Sequence, residues 1–456
     1  MTSLTLITLA VIVIGAFVTN GYPRALAIGG ATPIGAALVA GDTAVPTFYA
    51  VALGAGVGLS VRLLRRTERF ERVPTAPIPG LTPLALFAGW AVVVTLIAPH
   101  VFSGIRVLAP DGTISLLRAG SITTSNIAQV VYLLLGILVM VFLARTPDVG
   151  PGLVGIATGL ATLLSFWRLL SHLAGVPFPE GVFDNSPAYA FVETAPGGQQ
   201  RFRGIFSEPS GLAISSLVTI AYMSSRAVRV RGARRVGVIV VAVIAAVMAA
   251  LSTSATFVVA SIVMAALAAG TFATRVLARS ARVSALSVTV LCTAAIAAMW
   301  VLPLLTNVVA SVIDDKVSSS SYDQRSGADA RSYEILQETL GVGVGLGAHR
   351  PSSFFAGLLS STGVIGTALF IAVVWTLIRR ASAVDQFRPV IWAVITLLVT
   401  KVIASPDLSD PSGVMWLSFG LLAHAGLRAA AQPGSVAHGP RLGATTPPQD
   451  APRLSG

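Results

Sequence analysis

The chain is poor in charge. Only 11% of its 456 residues are Asp, Glu, Lys or Arg, against about a quarter in soluble globular proteins. Lysine is nearly missing: Lys316 and Lys401 stand beside 29 arginines, a bias that, with abundant Ala and Gly, suggests a GC-rich bacterial genome. The single cysteine, Cys292, sits in an apolar run, which excludes disulfide scaffolds, cysteine-based zinc sites and redox pairs. Asp314-Asp315 and Asp407-Leu408-Ser409-Asp410 lack the remaining oxygen ligands of a metal site, so no metal and no cofactor are expected. What is plentiful is apolar side chain, 54% of the residues, with a mean hydropathy of +0.81. One soluble core cannot absorb that much, since such cores stop growing near about 250–300 residues. Lipid must be the solvent for most of the chain.

A bilayer core about 30 Å thick needs roughly 17–25 mostly apolar residues per helix. Thirteen segments qualify: about 3–19, 25–40, 45–62, 81–99, 127–144, 152–174, 209–224, 236–252, 255–272, 284–304, 352–378, 389–404 and 412–427. The fold class expected is therefore an all-α, polytopic membrane protein of about 13 spans (12–14), one transmembrane domain over 1–427 and a disordered tail over 428–456. Gly29, Gly30, Pro33 and Gly35 make the second segment the weakest. Ser252-Thr253-Ser254 alone separates the eighth and ninth, which read as a tight helical hairpin.

Alternate connections hold 21 of the 31 basic residues and only five of the 19 acids. By the positive-inside rule that side is cytoplasmic. The +12 net charge is then a difference between about +16 inside and −4 outside, a topological signal, and implies no nucleic-acid partner. Thirteen spans put the N-terminus outside and the C-terminus inside. The connections about 100–126, 175–208 and 305–351 face outward, from a cell membrane whose outer face has no ATP or nucleotide-sugar supply. Group transfer there needs a donor that arrives activated, and a lipid-linked donor is expected.

Two outer segments carry the candidate chemistry. The first is Gln199-Gln200-Arg201-Phe202-Arg203-Gly204-Ile205-Phe206-Ser207-Glu208-Pro209-Ser210-Gly211. Arginine offers bidentate, permanently charged recognition of phosphate, a helix N-terminus favours anions, and Glu208 there suits a general base. Equally, Glu208 suits the helix dipole and the arginines suit interfacial snorkelling. The second segment holds Asp329, Arg331, Glu334 and Glu338, then Gly341-Val342-Gly343-Val344-Gly345-Leu346-Gly347-Ala348-His349-Arg350. No Lys-Ser/Thr follows and no strand precedes those glycines, which excludes a nucleotide loop; close backbone approach to a ligand is the alternative. Asp329 to Leu340 reads as a short surface helix in which Arg331 reaches a lipid phosphate or pairs with Glu334. Arg168 and His172, four apart, share a helix face near the outer boundary, where an ionisable residue is a functional candidate and interfacial snorkelling is the alternative. Lys401 is expected to pair with Asp407 or Asp410.

An Arg-x-x-Gly-x-Phe-x-Glu-Pro-Ser segment before a mid-chain span, with a late Gly-Val-Gly-Leu-Gly loop, Ser-Ser, and Gly-Val-Ile-Gly from Gly363 to Gly366 in the next span, resembles the O-antigen polymerase/O-antigen ligase superfamily. The likeness covers roughly residues 80–425. It implies a metal-independent, inverting glycosyltransferase acting on polyprenyl-pyrophosphate-linked oligosaccharides, with flippase and chain-length regulator proteins as possible partners. It also implies that Arg201 or Arg203, and Arg331, hold the pyrophosphate; Arg168 and Arg350 join them as substrate-binding candidates from their own positions. Two features depart from the pattern. Ser352 stands where many members place a His-Asn pair, which shifts the base to Glu208 with His349 second. Ser252-Thr253-Ser254 replaces a Ser-Arg pair. A repeat-unit polymerase leads, a ligase is the alternative, and a lipid-linked glycan flippase or secondary transporter is the reading from another class.

Overall fold

The computed structural model describes residues 2–17, 21–32, 37–41, 43–64, 76–109, 113–147, 149–187, 191–194, 201–279, 320–410 and 412–431. The segment expected to span at 284–304, the tail from 432, and Cys292, Asp314, Asp315 and Lys316 lie outside these. Helices dominate: α1 Ser3–Phe17, α2 Tyr22–Gly29, α3 Thr47–Leu64, α4 Leu81–Val101, α5 Thr124–Arg145, α6 Gly152–Ala174, α7 Glu180–Phe183, α8 Pro209–Ala227, α9 Ala233–Leu251, α10 Ala255–Arg279, α11 Ser320–Glu338, α12 Phe354–Ala381, α13 Arg388–Ala404 and α14 Val414–Ala431. Two antiparallel hairpins, β1 Ala37–Ala40 with β2 Thr43–Pro46 and β3 Arg106–Leu108 with β4 Ile114–Leu116, are the sheet. Eight helices among the described residues are long and apolar enough to cross a membrane. A multi-pass membrane protein follows.

The core sits around α14, whose Trp416, Phe419 and Leu421 are fully buried. Gly136 of α5 and Gly420 of α14 permit the approach: a Cβ on Gly136 would lie 2.3 Å from the Trp416 ring, and one on Gly420 2.8 Å from Leu143. At the other extreme, α9 and α10 expose Val236, Val243, Val247 and Ile262. Burying such side chains in water-free surroundings contributes about 1.5–3 kcal/mol each, which lipid supplies.

Two sequence expectations change. The second segment, 25–40, is no single span. Its helix α2 has eight residues, about 12 Å, and stops where Gly30 packs against Leu417 and Ser412; β1 and β2 then turn through Gly41 at φ +62°. α2 is a short return: Asn185 bonds both Thr2 (3.1 Å) and the amide of Ala37 (2.8 Å), so α1 and α3 start at one face. The second change is the tail, whose residues 428–431 complete α14. The surface helix expected over 329–340 is longer, Ser320–Glu338. α9 and α10 meet at the expected turn, at Thr253 with φ +45°, but they do not form a tight hairpin: α9 packs on α8 and α6, and α10 on α13 and α8.

Helix α12 breaks at Gly363 (φ 66°, ψ −166°), nine residues in, about 14 Å below its start. At such a depth freed backbone groups need protein partners. The glycine run provides them. Val344 N–H donates to Ser360 O (2.8 Å), Gly345 N–H to Ser361 O (3.0 Å), and Val364 N–H to Gly341 O (2.9 Å), while Trp90 Nε1–H takes Thr362 O (2.8 Å). The loop is held on its other side by Thr95 of α4, which accepts from Leu346 N–H (3.0 Å), and by Asn126 of α5, which donates to Leu346 O (2.6 Å). Gly341, Gly343, Gly345 and Gly347 all have φ between +74° and +92°. A Cβ on Gly345 would stand 2.6 Å from Thr95 Cα, and one on Gly347 2.6 Å from Ser125 O. These glycines serve close backbone approach, but to α4, α5 and α12 rather than to the ligand expected from sequence.

Gly345→Ala and Gly347→Ala are each expected to cost at least about 2 kcal/mol, combining disfavoured φ and overpacking. Gly89→Ala, with nothing within 4 Å of its Cβ, is neutral or slightly stabilising. Thermal unfolding of detergent-purified variants checks the ranking.

Candidate functional site

The connections sort into two faces. One gathers Arg145, Arg229, Asp385 and Arg388: Arg145 donates to Ala76 O (3.0 Å), and Arg229 pairs with Asp385 (3.2 Å). The other gathers the β3–β4 hairpin, the 175–208 segment, the α9–α10 turn, the glycine loop and the 405–413 turn. Into this second face open two adjoining cavities.

The larger, about 370 Å³, has walls of helix: Ala157 and Ala161 of α6, Ile214 and Val218 of α8, Leu397 of α13. Its rim is polar, with Glu208, Arg350, Lys401, Asp407 and Asp410. Pro209 occupies the first position of α8 and fixes the turn. Glu208 is therefore the N-cap, extended at φ −137° and ψ 152°, and its carboxylate takes no backbone N–H. Among the described residues it accepts only from Ser210 Oγ (3.0 Å), and it stays exposed, beside a helix end that favours negative charge. Lys401, buried at the end of α13, donates to Asp407 O (2.8 Å), stands 3.7 Å from the Asp410 carboxylate and lies over the Phe354 ring. Asp410, at φ +47°, accepts Met415 N–H (2.7 Å) and so caps α14.

The predicted arginines divide. Arg168 and Arg203 are both buried and share one cluster of carboxylates. Arg203 Nη2 meets Asp184 at 2.6 Å and its Nε meets Glu193 at 2.8 Å. Arg168 meets Asp184 at 3.1 Å, Glu193 at 3.3 Å and Glu180 at 3.8 Å. Burial opposes the charge on Arg203, but Asp184 and Glu193 outweigh it and raise its pKa. This cluster ties Glu180, Asp184, Glu193 and Arg203 to α6 through Arg168. Arg201 caps the end of α9, donating to Ser252 O (3.3 Å) and to Thr253 O and Oγ1 (both 3.2 Å). Arg331 pairs with Glu334 (2.6 Å), as one reading of its spacing held, and with Glu338 (2.9 Å), and ties α11 to β3 through Arg106 O (2.9 Å). His172, four residues after Arg168, stands edge-on to Phe202.

His349 is buried with both ring nitrogens engaged. Nδ1 accepts Leu108 N–H (3.1 Å), which leaves the proton on Nε2; that nitrogen donates to Ser332 Oγ (2.9 Å), whose own proton goes to Ala328 O (3.1 Å). Burial first, then Arg331 nearby, pushes its pKa down to about 4. It fastens β3 to α11, and Arg350 follows it into the cavity rim. Among the described residues no three or more His, Cys, Asp or Glu come together as a metal site. Of the seven residues singled out, the larger cavity joins Glu208 and Arg350. Lys401 and Asp407 are the rim members the site reasoning missed; a lone lysine at the end of an apolar span was the available signal.

Arg203→Ala, which leaves Asp184 and Glu193 undercompensated, is expected to cost about 3–5 kcal/mol and to open the 175–208 segment to proteolysis; Arg201→Ala leaves cleavage near wild type. For His349 the folded pKa lies below the ordinary value, so the unfolded chain binds more protons between about pH 6.5 and 4. Stability is complete above that window and falls by roughly 3 kcal/mol as pH drops through it. Thermal unfolding of wild type is expected to fall more steeply from pH 7.5 to 4.5 than that of His349→Gln.

Compared with known proteins, the chain matches no family model, and no curated protein matches it.

Proposed function

We propose that the protein transfers glycan from a polyprenyl-pyrophosphate carrier at the outer face of the cytoplasmic membrane, extending repeat units into a surface or exported polysaccharide. The observation that carries this reading is the larger cavity. Apolar helices form its wall, as a polyprenyl chain needs, and one rim brings an exposed carboxylate together with Arg350 and Lys401. The arginine-rich face is then cytoplasmic, and the cavity opens where an activated lipid-linked donor is available.

In this mechanism Glu208 accepts the proton of a sugar hydroxyl. That oxygen bonds to the anomeric carbon from the face opposite the carrier, and the bond from carbon to the pyrophosphate oxygen breaks, inverting the centre. Arg350 and the N-terminus of α8 balance the charge of the departing pyrophosphate, while Lys401, buried and bonded to Asp407 O and Asp410, holds those two residues at the cavity. The proton leaves Glu208 to solvent. Arg168, Arg201, Arg203 and Arg331, already bonded to acids or carbonyls, hold the loops that frame the cavity.

A transporter or flippase reading has one observation in its favour, the broken helix α12, since such proteins use discontinuous helices at their sites. Here the glycine loop already occupies the freed backbone groups, which favours transfer. A ligase uses the same chemistry with a different acceptor.

Glu208→Gln is expected to lower elongation by roughly 10²–10⁴-fold and Arg350→Ala by roughly 10²-fold, both with normal membrane levels. Sizing of the surface polysaccharide after deletion separates the alternatives. One-repeat products fit a polymerase and long chains retained on the carrier fit a ligase; repeat units trapped on the cytoplasmic face contradict both.

A further inference from the structure

The second cavity, about 250 Å³, adjoins the first, and Arg350, Pro406 and Asp407 line both. Its walls are different. Tyr49 of α3 and Tyr132 of α5 stack with ring centroids 4.4 Å apart, Gln129 and Ser125 of α5 present an amide and a hydroxyl, and Phe354 closes the side toward α12. The Tyr49 hydroxyl is fully buried at this wall and has no hydrogen-bond partner among the described residues. The Trp416 indole N–H is committed to Ser409 O (3.1 Å). A buried, unpartnered polar atom calls for a ligand or water to complete it. The cavity is smaller than drug-sized sites of roughly 300–1,000 Å³ and suits a ligand of about one sugar ring. It is too polar at Gln129, Ser125 and Asp407 for a lipid chain.

We infer that this cavity is the acceptor subsite, taking a single sugar residue of a saccharide whose hydroxyl is presented past Arg350 and Asp407 to the larger cavity. The inference rests on the glycan-transfer reading. Tyr49 and Gln129 bind the acceptor through hydroxyl and amide, and Tyr132 offers an apolar ring edge to the sugar's C–H face.

The test uses full-length protein in nanodiscs, with lipid-linked repeat units extracted from a strain lacking this protein as donor. The acceptor is the same oligosaccharide freed from its lipid by mild acid, which cannot act as donor. Tyr49→Phe and Gln129→Leu are expected to raise the KM for the free oligosaccharide about tenfold. Both should change kcat less than about threefold and leave the KM for the lipid-linked donor unaltered. Removing an unpartnered buried hydroxyl is neutral or stabilising, so unfolding temperatures of Tyr49→Phe at or above wild type show that the fold is intact. An unchanged KM for the free oligosaccharide overturns the inference, as does a rise in the donor KM instead. Wild-type protein that transfers to neither acceptor overturns the glycan-transfer reading itself, and the subsite with it.

Discussion

A helix broken inside a membrane must find partners for the backbone groups it releases, and nearly every feature of the site follows from how α12 does so. Gly363 leaves the carbonyls of Ser360, Ser361 and Thr362 and the amide of Val364 to be satisfied. The chain answers with its own glycine loop, which fits only because Gly343, Gly345 and Gly347 lack a Cβ. Once the loop is seated against α4, α5 and α12, the next residues have no latitude. His349 is drawn onto Leu108 and Ser332, and Arg350 is delivered to the partition between two cavities.

The ionisable residues of this face divide into two kinds of work. Arg168 and Arg203, themselves buried, share Asp184 and the half-exposed Glu193 in one cluster, and losing one acid leaves a buried guanidinium undercompensated. Such a cluster fixes a long connection in one place. Around the larger cavity the groups are differently placed. Glu208 caps no backbone N–H and stays exposed, and Lys401 is directed by a carbonyl and a carboxylate toward the same rim. Under the proposed function, fixed loops and an exposed carboxylate together form a site that admits a charged lipid without moving its frame.

Much of this was legible in the sequence, and for physical reasons. Apolar length reports a solvent, so the described helices fall within a few residues of the expected segments except at 25–40 and at the end of α10, which runs on to Arg279, while 284–304 lies outside the described residues. At 25–40, hydropathy could not show that Gly30 would meet Leu417 and Ser412 and end α2 after eight residues. The glycine run was readable as a place of close backbone approach, but not its partner, because Gly363 lies in an unbroken apolar stretch. Arginine was the least legible residue. Its spacing to Glu334 identified one pairing of Arg331, whereas the carboxylates that hold Arg168 and Arg203 come from 10 to 25 residues away, which no local pattern reports. Glu208 was found because Pro209 marks a helix start; Lys401 and Asp407 required the fold to bring α13 beside α8.

The most direct measurement is reconstitution of the purified protein in proteoliposomes with polyprenyl-pyrophosphate-linked repeat units and neither nucleotide nor ion gradient. One polyprenyl pyrophosphate released for each new glycosidic bond is the predicted result. Movement of intact lipid-linked glycan across the bilayer without bond formation, or elongation that needs ATP, would contradict it.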